Sequence, residues 1–210
     1  MFFKKNKIFC IGFNKTGTTS LERALKEFGF KMGNQAEAES MFDDWVKRDF
    51  KKLYAYCKKS DAFQDAPFSF PFTFTAMDQF FPNSKFILTE RDSPDQWYNS
   101  ITRFHGKLWA NDSIPTKADL LQANYIYKGF PYHNIKKLFN TDDNDLYNKE
   151  ILMRTYVDHN NSVKNYFKYR PNDLLVLNLK DADSYKKLCS FIEKKELRAS
   201  FPWENKTENM

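Results

Sequence analysis

The chain has little cysteine, little histidine and no long apolar run in its 210 residues. Nothing in it approaches the ~18 consecutive apolar residues that a membrane-crossing helix needs, so we expect no membrane span. Its first residues, MFFKKNK, are basic, but no apolar region of about 7 to 15 residues follows them. We therefore do not expect a secretory signal.

The three cysteines are too few and too far apart to form a ligand cluster or a disulfide framework. Cys10, Cys57 and Cys189 each lie in an apolar stretch, and their number is odd. This usage predicts reduced thiols in the core, a cytoplasmic location and no zinc site.

An arginine-rich tract is also lacking, although the net charge is +6. The 33 basic and 27 acidic residues are interleaved, which argues against nucleic acid as a partner. There is no Gly/Ser linker, internal repeat or low-complexity tract, so residues 1–210 are expected to form a single domain. The oligomeric state is open, with a homodimer among the alternatives.

The stretch from Ile8 to Leu21, IFCIGFNKTGTTSL, contains a strand, a loop and the start of a helix. The apolar run at its start has the composition of a buried strand, and the loop lies between Gly12 and Gly17. Apolar residues at helical spacing then follow Thr18, and Gly29 is a natural stop. Free backbone N–H groups at such a helix start favour an anion, so we predict a phosphate-like ligand here.

The position of the lysine in this loop argues against an NTPase P-loop. That motif, GxxxxGK[ST], has lysine directly after its last glycine, whereas Lys15 precedes Gly17 by two residues. The string KTGTTSL resembles instead the 5′-phosphosulfate loop of sulfotransferases that use 3′-phosphoadenylyl sulfate (PAPS). The resemblance implies cofactor binding by Asn14, Lys15, Thr16, Gly17, Thr18, Thr19 and Ser20. The alternative is an ordinary strand-to-helix turn whose lysine faces solvent.

A second segment is similar to the same family. The apolar run Lys85 to Thr89 predicts a strand, Arg91 follows it, and Pro94 suits the first turn of a helix. In the family, an arginine after this strand and a serine on the next helix bind the 3′-phosphate of PAPS. The family serine lies eight positions after the arginine, where this chain has Asn99, so either Asn99 or Ser100 has that role.

Arg91 has a purely structural alternative, an ion pair with Asp92 or Asp95. The resemblance also extends to a late strand near 174–179 and to a closing turn with Phe201-Pro202 and Asn205-Lys206. It thus covers the chain nearly end to end and places it near the bacterial sulfotransferase-like branch.

Two residues are candidates for the base that takes a proton from the acceptor. Asp65 is the first choice, because related sulfotransferases have a similar aspartate-proline neighbourhood and a short apolar run precedes it here. Its alternatives are to cap a helix starting near Phe72 or to shape the turn. His105 is the second choice, since histidine is the usual base in the cytosolic animal branch.

The predicted fold is an α/β three-layer sandwich with a P-loop-like start and a mainly parallel sheet. Its strands are expected near 8–11, 62–64, 85–89 and 174–179, and a partly exposed helix is expected over 43–59. An aromatic-rich helical insertion near 102–150 is predicted to be a lid over an acceptor pocket. The alternative is that its aromatic residues pack a helical subdomain.

Together these features predict a PAPS-dependent sulfotransferase, with Lys15 stabilising the bridging oxygen that leaves. The acceptor is expected to be a hydroxyl or amine of a small organic molecule or carbohydrate. No metal is expected, because no paired-aspartate or histidine-rich cluster lies near the motifs. A nucleotide kinase-like phosphotransferase and a non-catalytic protein that binds PAPS or its product, adenosine 3′,5′-bisphosphate (PAP), are the alternatives.

Overall fold

The computed structural model describes residues 6–202, so Asn205 and Lys206 of the predicted closing turn lie outside the described residues. The chain divides into two compact units. The first contains residues 1–90 and 160–210, and the second contains residues 91–159. Each unit is described by itself below.

The first unit contains a four-stranded sheet in which every paired strand is parallel. The strands are β1 (Ile8–Cys10), β2 (Ala62–Phe63), β3 (Lys85–Thr89) and β4 (Leu174–Leu177). Their order in the sheet is β2-β1-β3-β4, and Phe9 lies opposite both Phe63 and Phe86. The predicted α/β class and the four strand positions are confirmed.

Ten helices lie among residues 6–202. In chain order they are α1 (Thr18–Glu27), α2 (Gln35–Glu39), α3 (Phe42–Val46), α4 (Lys51–Cys57), α5 (Thr73–Phe80), α6 (Pro94–Trp109), α7 (Lys117–Gln122), α8 (Phe130–Phe139), α9 (Lys149–Phe167) and α10 (Ser184–Phe191).

Neighbouring residues of β1 point to opposite faces of the sheet, and helices cover both faces. Phe9 packs in a cluster with residues of α4, α5 and α9, such as Phe74 and Phe167. Cys10 packs in a second cluster with residues of α1 and α10, such as Leu25. The arrangement is the predicted three-layer sandwich, and all three cysteines are buried and free of disulfide bonds.

The prediction of a single helix over 43–59 was wrong, because the structure has two helices there, α3 and α4, separated by residues 47–50. Arg48 in the break has a positive φ of 58°, which no α-helix accommodates. Its guanidinium lies 4.4 Å from the ring centroid of Trp45. The apolar and charged residues alternate across the break without interruption, so the pattern alone could not reveal it.

The second unit consists of helices α6 to α8 and the first part of α9. Its core includes Trp97, which stacks on Tyr156 with ring centroids 4.6 Å apart and planes 9° from parallel. Leu120, Phe130 and Ile135 are also buried in this unit. The unit contains the predicted insertion at 102–150, and the role of that segment as a lid stays a prediction.

Candidate active site

The loop between β1 and α1 is pressed against the end of β3. A Cβ atom on Gly12 would lie 2.5 Å from the backbone oxygen of Thr89 and 2.6 Å from its nitrogen, so only glycine fits. Gly17, at the other end of the loop, has a φ of 102° and is the N-cap of α1. The two glycines thus fix where the loop leaves the sheet and where the helix begins.

Thr16 anchors this loop from inside the protein. Oγ1 of Thr16 donates to the carbonyl oxygen of Phe13 at 2.5 Å. It also lies 2.5 Å from Oγ1 of Thr89, and because Thr16 has only one hydroxyl hydrogen, Thr89 is the donor in that contact. The hydroxyl of Thr16 is therefore occupied within the protein, and its backbone amide is the group it can offer a ligand. Lys15, one residue earlier, is half-buried and has a positive φ of 65°.

The first turn of α1 has the properties of an anion site. It contains no acidic residue, and the N-cap Gly17 supplies no side-chain hydrogen bond to the helix. The backbone N–H groups at this end and the helix dipole therefore favour a negatively charged ligand. The chemistry of these donors fits the phosphosulfate group of PAPS. Among the predicted hydroxyl residues, Thr18 is buried and Thr19 is exposed.

The structure brings Asp65 to this end of α1. Asp65 follows β2 with a positive φ of 53°, and the side chains of Thr18 and Gln35 lie near its carboxyl group and favour its ionised form. Only 9% of the residue is exposed, and its Oδ1 atom is buried without a hydrogen-bond partner. Burial raises the pKa of Asp65 to about 7, and negative charge on Glu39 and Glu22 acts in the same direction.

The alternative in which Asp65 caps a helix is wrong. Helix α5 begins at Thr73, its N-cap is Phe72, and no side chain caps it. Asp65 does shape the turn after β2, because the backbone N–H of Ser69 donates to its carbonyl oxygen at 2.9 Å. That contact uses the backbone and leaves the carboxyl group available for chemistry.

Sequence reasoning missed the polar side chains around Asp65. On α2, Nε2 of Gln35 donates to Oε1 of Glu39 at 3.0 Å, and after β2, Nε2 of Gln64 donates to Oε2 of Glu22 at 2.8 Å. The only sequence signal for α2 is the cap at its start, where Asn34 accepts from the backbone N–H three residues later. A helix of five residues has no apolar periodicity that could reveal which face it presents.

In the second unit, the segment that carries Arg91 is attached to α9. The backbone N–H of Arg91 donates to the hydroxyl of Tyr156 at 3.0 Å, and burial lowers the pKa of the guanidinium. Asp95, one proposed structural partner of Arg91, forms an ion pair with Lys149 at 2.6 Å. Ser93 caps α6 through its hydroxyl, and Pro94 is its first residue, as predicted for this position.

Asn99 and Ser100 differ in their environment on α6. Asn99 is exposed, whereas Oγ of Ser100 is buried and has no hydrogen-bond partner. His105, the second candidate base, lies within the same unit. Its Nδ1 atom is 2.9 Å from the hydroxyl of Tyr147, and its ring centroid is 4.6 Å from that of Trp109.

A family model described as a sulfotransferase domain matches residues 7–210, essentially the whole chain. The chain belongs to the sulfotransferase domain family. Family membership supports sulfuryl transfer as its general chemistry, and with it the classification as a transferase with an acceptor substrate. A search of curated proteins finds no match to this sulfotransferase.

Among residues 6–202, none of the helices is long and apolar enough to cross a membrane. Over the same residues, no three His, Cys, Asp or Glu side chains are grouped so that they could hold a metal ion.

Proposed function

We propose that this sulfotransferase uses PAPS as its donor and transfers the sulfuryl group to a hydroxyl or amine of a small organic molecule or carbohydrate. One observation carries the proposal. The uncapped start of α1, which suits a phosphosulfate group, lies beside the buried carboxyl group of Asp65, whose pKa is near neutrality. An anion site and a proton acceptor thus lie side by side in the first unit.

The backbone N–H groups from Thr16 to Ser20 bind the 5′-phosphosulfate, with Asn14 at the edge of the loop. Lys15 neutralises the charge that develops on the bridging oxygen as the sulfur–oxygen bond breaks. When bound, PAPS supplies the sulfuryl group and leaves as PAP.

Asp65 takes the proton of the acceptor as the new bond to sulfur forms. A carboxyl group with a pKa of about 7 suits this role at neutral pH, because it is substantially ionised and still basic enough to take a proton. His105 stays the second candidate, and its contact with Tyr147 would have to open before it could serve.

We assign the 3′-phosphate of PAPS to Arg91 and Ser100 in the second unit. A guanidinium binds two phosphate oxygens at once, and a buried hydroxyl without a partner can donate to a third. The resemblance of this segment to PAPS-dependent enzymes supports the assignment.

Calorimetry with PAP and with ATP plus magnesium tests the donor. We expect PAP to bind and ATP to bind much more weakly, because the loop lysine is not placed as in an NTPase. Tight binding of ATP without binding of PAP would favour a kinase-like phosphotransferase instead.

Transfer from labelled PAPS to an acceptor library tests catalysis. We expect Lys15→Met to lower the rate about 100-fold or more, because it removes a charge that acts mainly in the transition state. Lys51→Met, an exposed lysine on α4, is the matched control and should keep full activity. PAP binding without transfer to any acceptor would favour the non-catalytic alternative.

A further inference from the structure

The last residue of β3 has a polar side chain in an apolar setting. Four residues of β3 are buried, and Thr89 alone among them is polar. Phe86 and Leu88 pack on one side of the sheet and Ile87 packs on the other, so alternation along the strand directs Thr89 to the side that α1 covers. A valine would have the same shape without a hydroxyl that needs a partner, so packing alone does not account for this threonine.

The hydroxyl of Thr89 begins a chain of two hydrogen bonds that runs into the loop between β1 and α1. Oγ1 of Thr89 donates to Oγ1 of Thr16 at 2.5 Å, and Oγ1 of Thr16 donates to the carbonyl oxygen of Phe13 at 2.5 Å. Both threonines are buried, so bulk water does not compete for these bonds. Oγ1 of Thr89 is also the atom nearest to the place where a Cβ on Gly12 would lie. One side chain of β3 therefore lies against both ends of the loop.

Between these two contacts the loop holds Lys15 at a φ of 65°. Residues other than glycine rarely adopt this conformation, and it persists only where the surrounding structure enforces it. The side-chain hydrogen bonds of Thr16 fix the residue that follows Lys15 and so help to enforce it. They also engage the carbonyl oxygen of Phe13, whose negative end could otherwise turn toward a bound anion.

We propose that Thr89 is a positioning residue for this loop, and that its hydroxyl holds Thr16 and, through it, Lys15 in the anion-binding arrangement before the donor arrives. This inference rests on the proposed function, in which the loop binds the 5′-phosphosulfate of PAPS and Lys15 acts on the bridging oxygen. Thr89 touches neither group and acts through the loop. Because the arrangement exists before binding, less of the binding free energy of PAPS is used to form it.

Two substitutions of Thr89 separate the effect of its hydroxyl from that of its packing. Thr89→Val keeps the shape and the strand propensity but removes the donor, whereas Thr89→Ser keeps the donor and removes a methyl group. We expect PAP, whose 5′-phosphate reaches the loop, to bind about 10-fold more weakly to Thr89→Val and about as tightly to Thr89→Ser. Adenosine 3′-phosphate, which has no 5′-phosphate, should bind equally to the wild type and both variants. Calorimetry on the full chain measures these affinities.

The rate of transfer gives a second measurement, with PAPS and any acceptor found in the library. At saturating PAPS, Thr89→Val should lower kcat about 10-fold and leave the KM of the acceptor unchanged, because Lys15 acts mainly in the transition state. Thr75→Val is the matched control, since it removes a hydroxyl that donates to the carbonyl oxygen of Phe72 at 2.7 Å in α5. It should change neither PAP affinity nor kcat.

Thr16→Val breaks the same chain from the side of the loop and replaces Thr89→Val if that variant does not fold. If the two hydroxyls act as one chain, the double variant should bind PAP no more weakly than either single variant.

Unchanged PAP binding in the folded valine variant, equal weakening of PAP and adenosine 3′-phosphate, or additive losses in the double variant would overturn this inference alone. A wild type that does not bind PAP would overturn the proposed function and this inference with it, so the two failures are distinguishable.

Discussion

At the scale of the residue, Asp65 shows how burial and neighbouring polar groups set the pKa of one carboxyl group. Burial favours the neutral acid, whereas Thr18 and Gln35 favour the carboxylate, and burial has the larger effect. The folded chain therefore binds this proton more tightly than the unfolded chain does. The pKa rises from 3.8 in the unfolded reference to about 7.

The sign of the resulting pH dependence follows from this shift. The folded state is destabilised as the pH rises from about 4 to about 7, because Asp65 must lose a proton that the unfolded chain has already lost. In Asp65→Asn this loss should be absent, a difference of roughly 4 kcal/mol in the free energy of unfolding. Urea unfolding of both proteins across this pH range measures it, and parallel curves would contradict the prediction.

A second residue-scale prediction separates Ser100 from Asn99. Ser100→Ala should weaken PAP binding about 10-fold, because it removes a hydroxyl that can donate to a charged phosphate. Asn99→Ala should change PAP affinity little, since that residue is exposed. Calorimetry on both variants decides between them, and the reverse order of effects would assign the 3′-phosphate to Asn99.

At the scale of the element, the strand-loop-helix segment formed by β1, the loop and α1 was well predicted from sequence. An apolar run, two glycines and a change to helical spacing are local signals, so the chain order alone reveals them. The contact between Thr18 and Asp65 could not be predicted in the same way. It depends on β2 pairing beside β1, with Phe9 opposite Phe63, which brings together residues far apart in the chain.

The same limit explains why α2 was missed while α1 was found. Gln35 and Glu39 lie on a helix of five residues whose role depends on what it faces, and no local pattern encodes that. The break between α3 and α4 was missed for a related reason, because the guanidinium of Arg48 also lies 5.5 Å from the ring centroid of Phe72, a contact between residues far apart in the chain.

The close packing of Gly12 predicts a large effect of a small substitution. Gly12→Ala should destabilise the protein by about 2 kcal/mol or more, because its Cβ would collide with the backbone of β3. In Gly29→Ala the new Cβ meets no atom within 4 Å. The free energy of unfolding should therefore fall by only the ~1 kcal/mol that a side chain costs at a positive φ. Denaturant midpoints of the two variants test the order, and equal effects would exclude the collision.

At the scale of the whole molecule, the second unit interrupts the first in sequence. Residues 91–159 lie between β3 and β4, whereas the sheet needs residues from both sides of that insertion. The apolar strands revealed the sheet and its class. The boundary of the second unit was not apparent, because no linker or change in composition marks it.

The strand order β2-β1-β3-β4 also has a consequence for the synthesis of the chain. The first strand to be made, β1, is central, and its hydrogen-bonding partners begin only at residues 62 and 85. The last strand begins at residue 174, so most of the chain must leave the ribosome before the sheet is complete. Such distant pairings slow folding, and the contiguous second unit can gain protection earlier. Pulse-labelling hydrogen exchange should therefore show amides of α6 protected before those of β1, and the opposite order would mean that the sheet forms first.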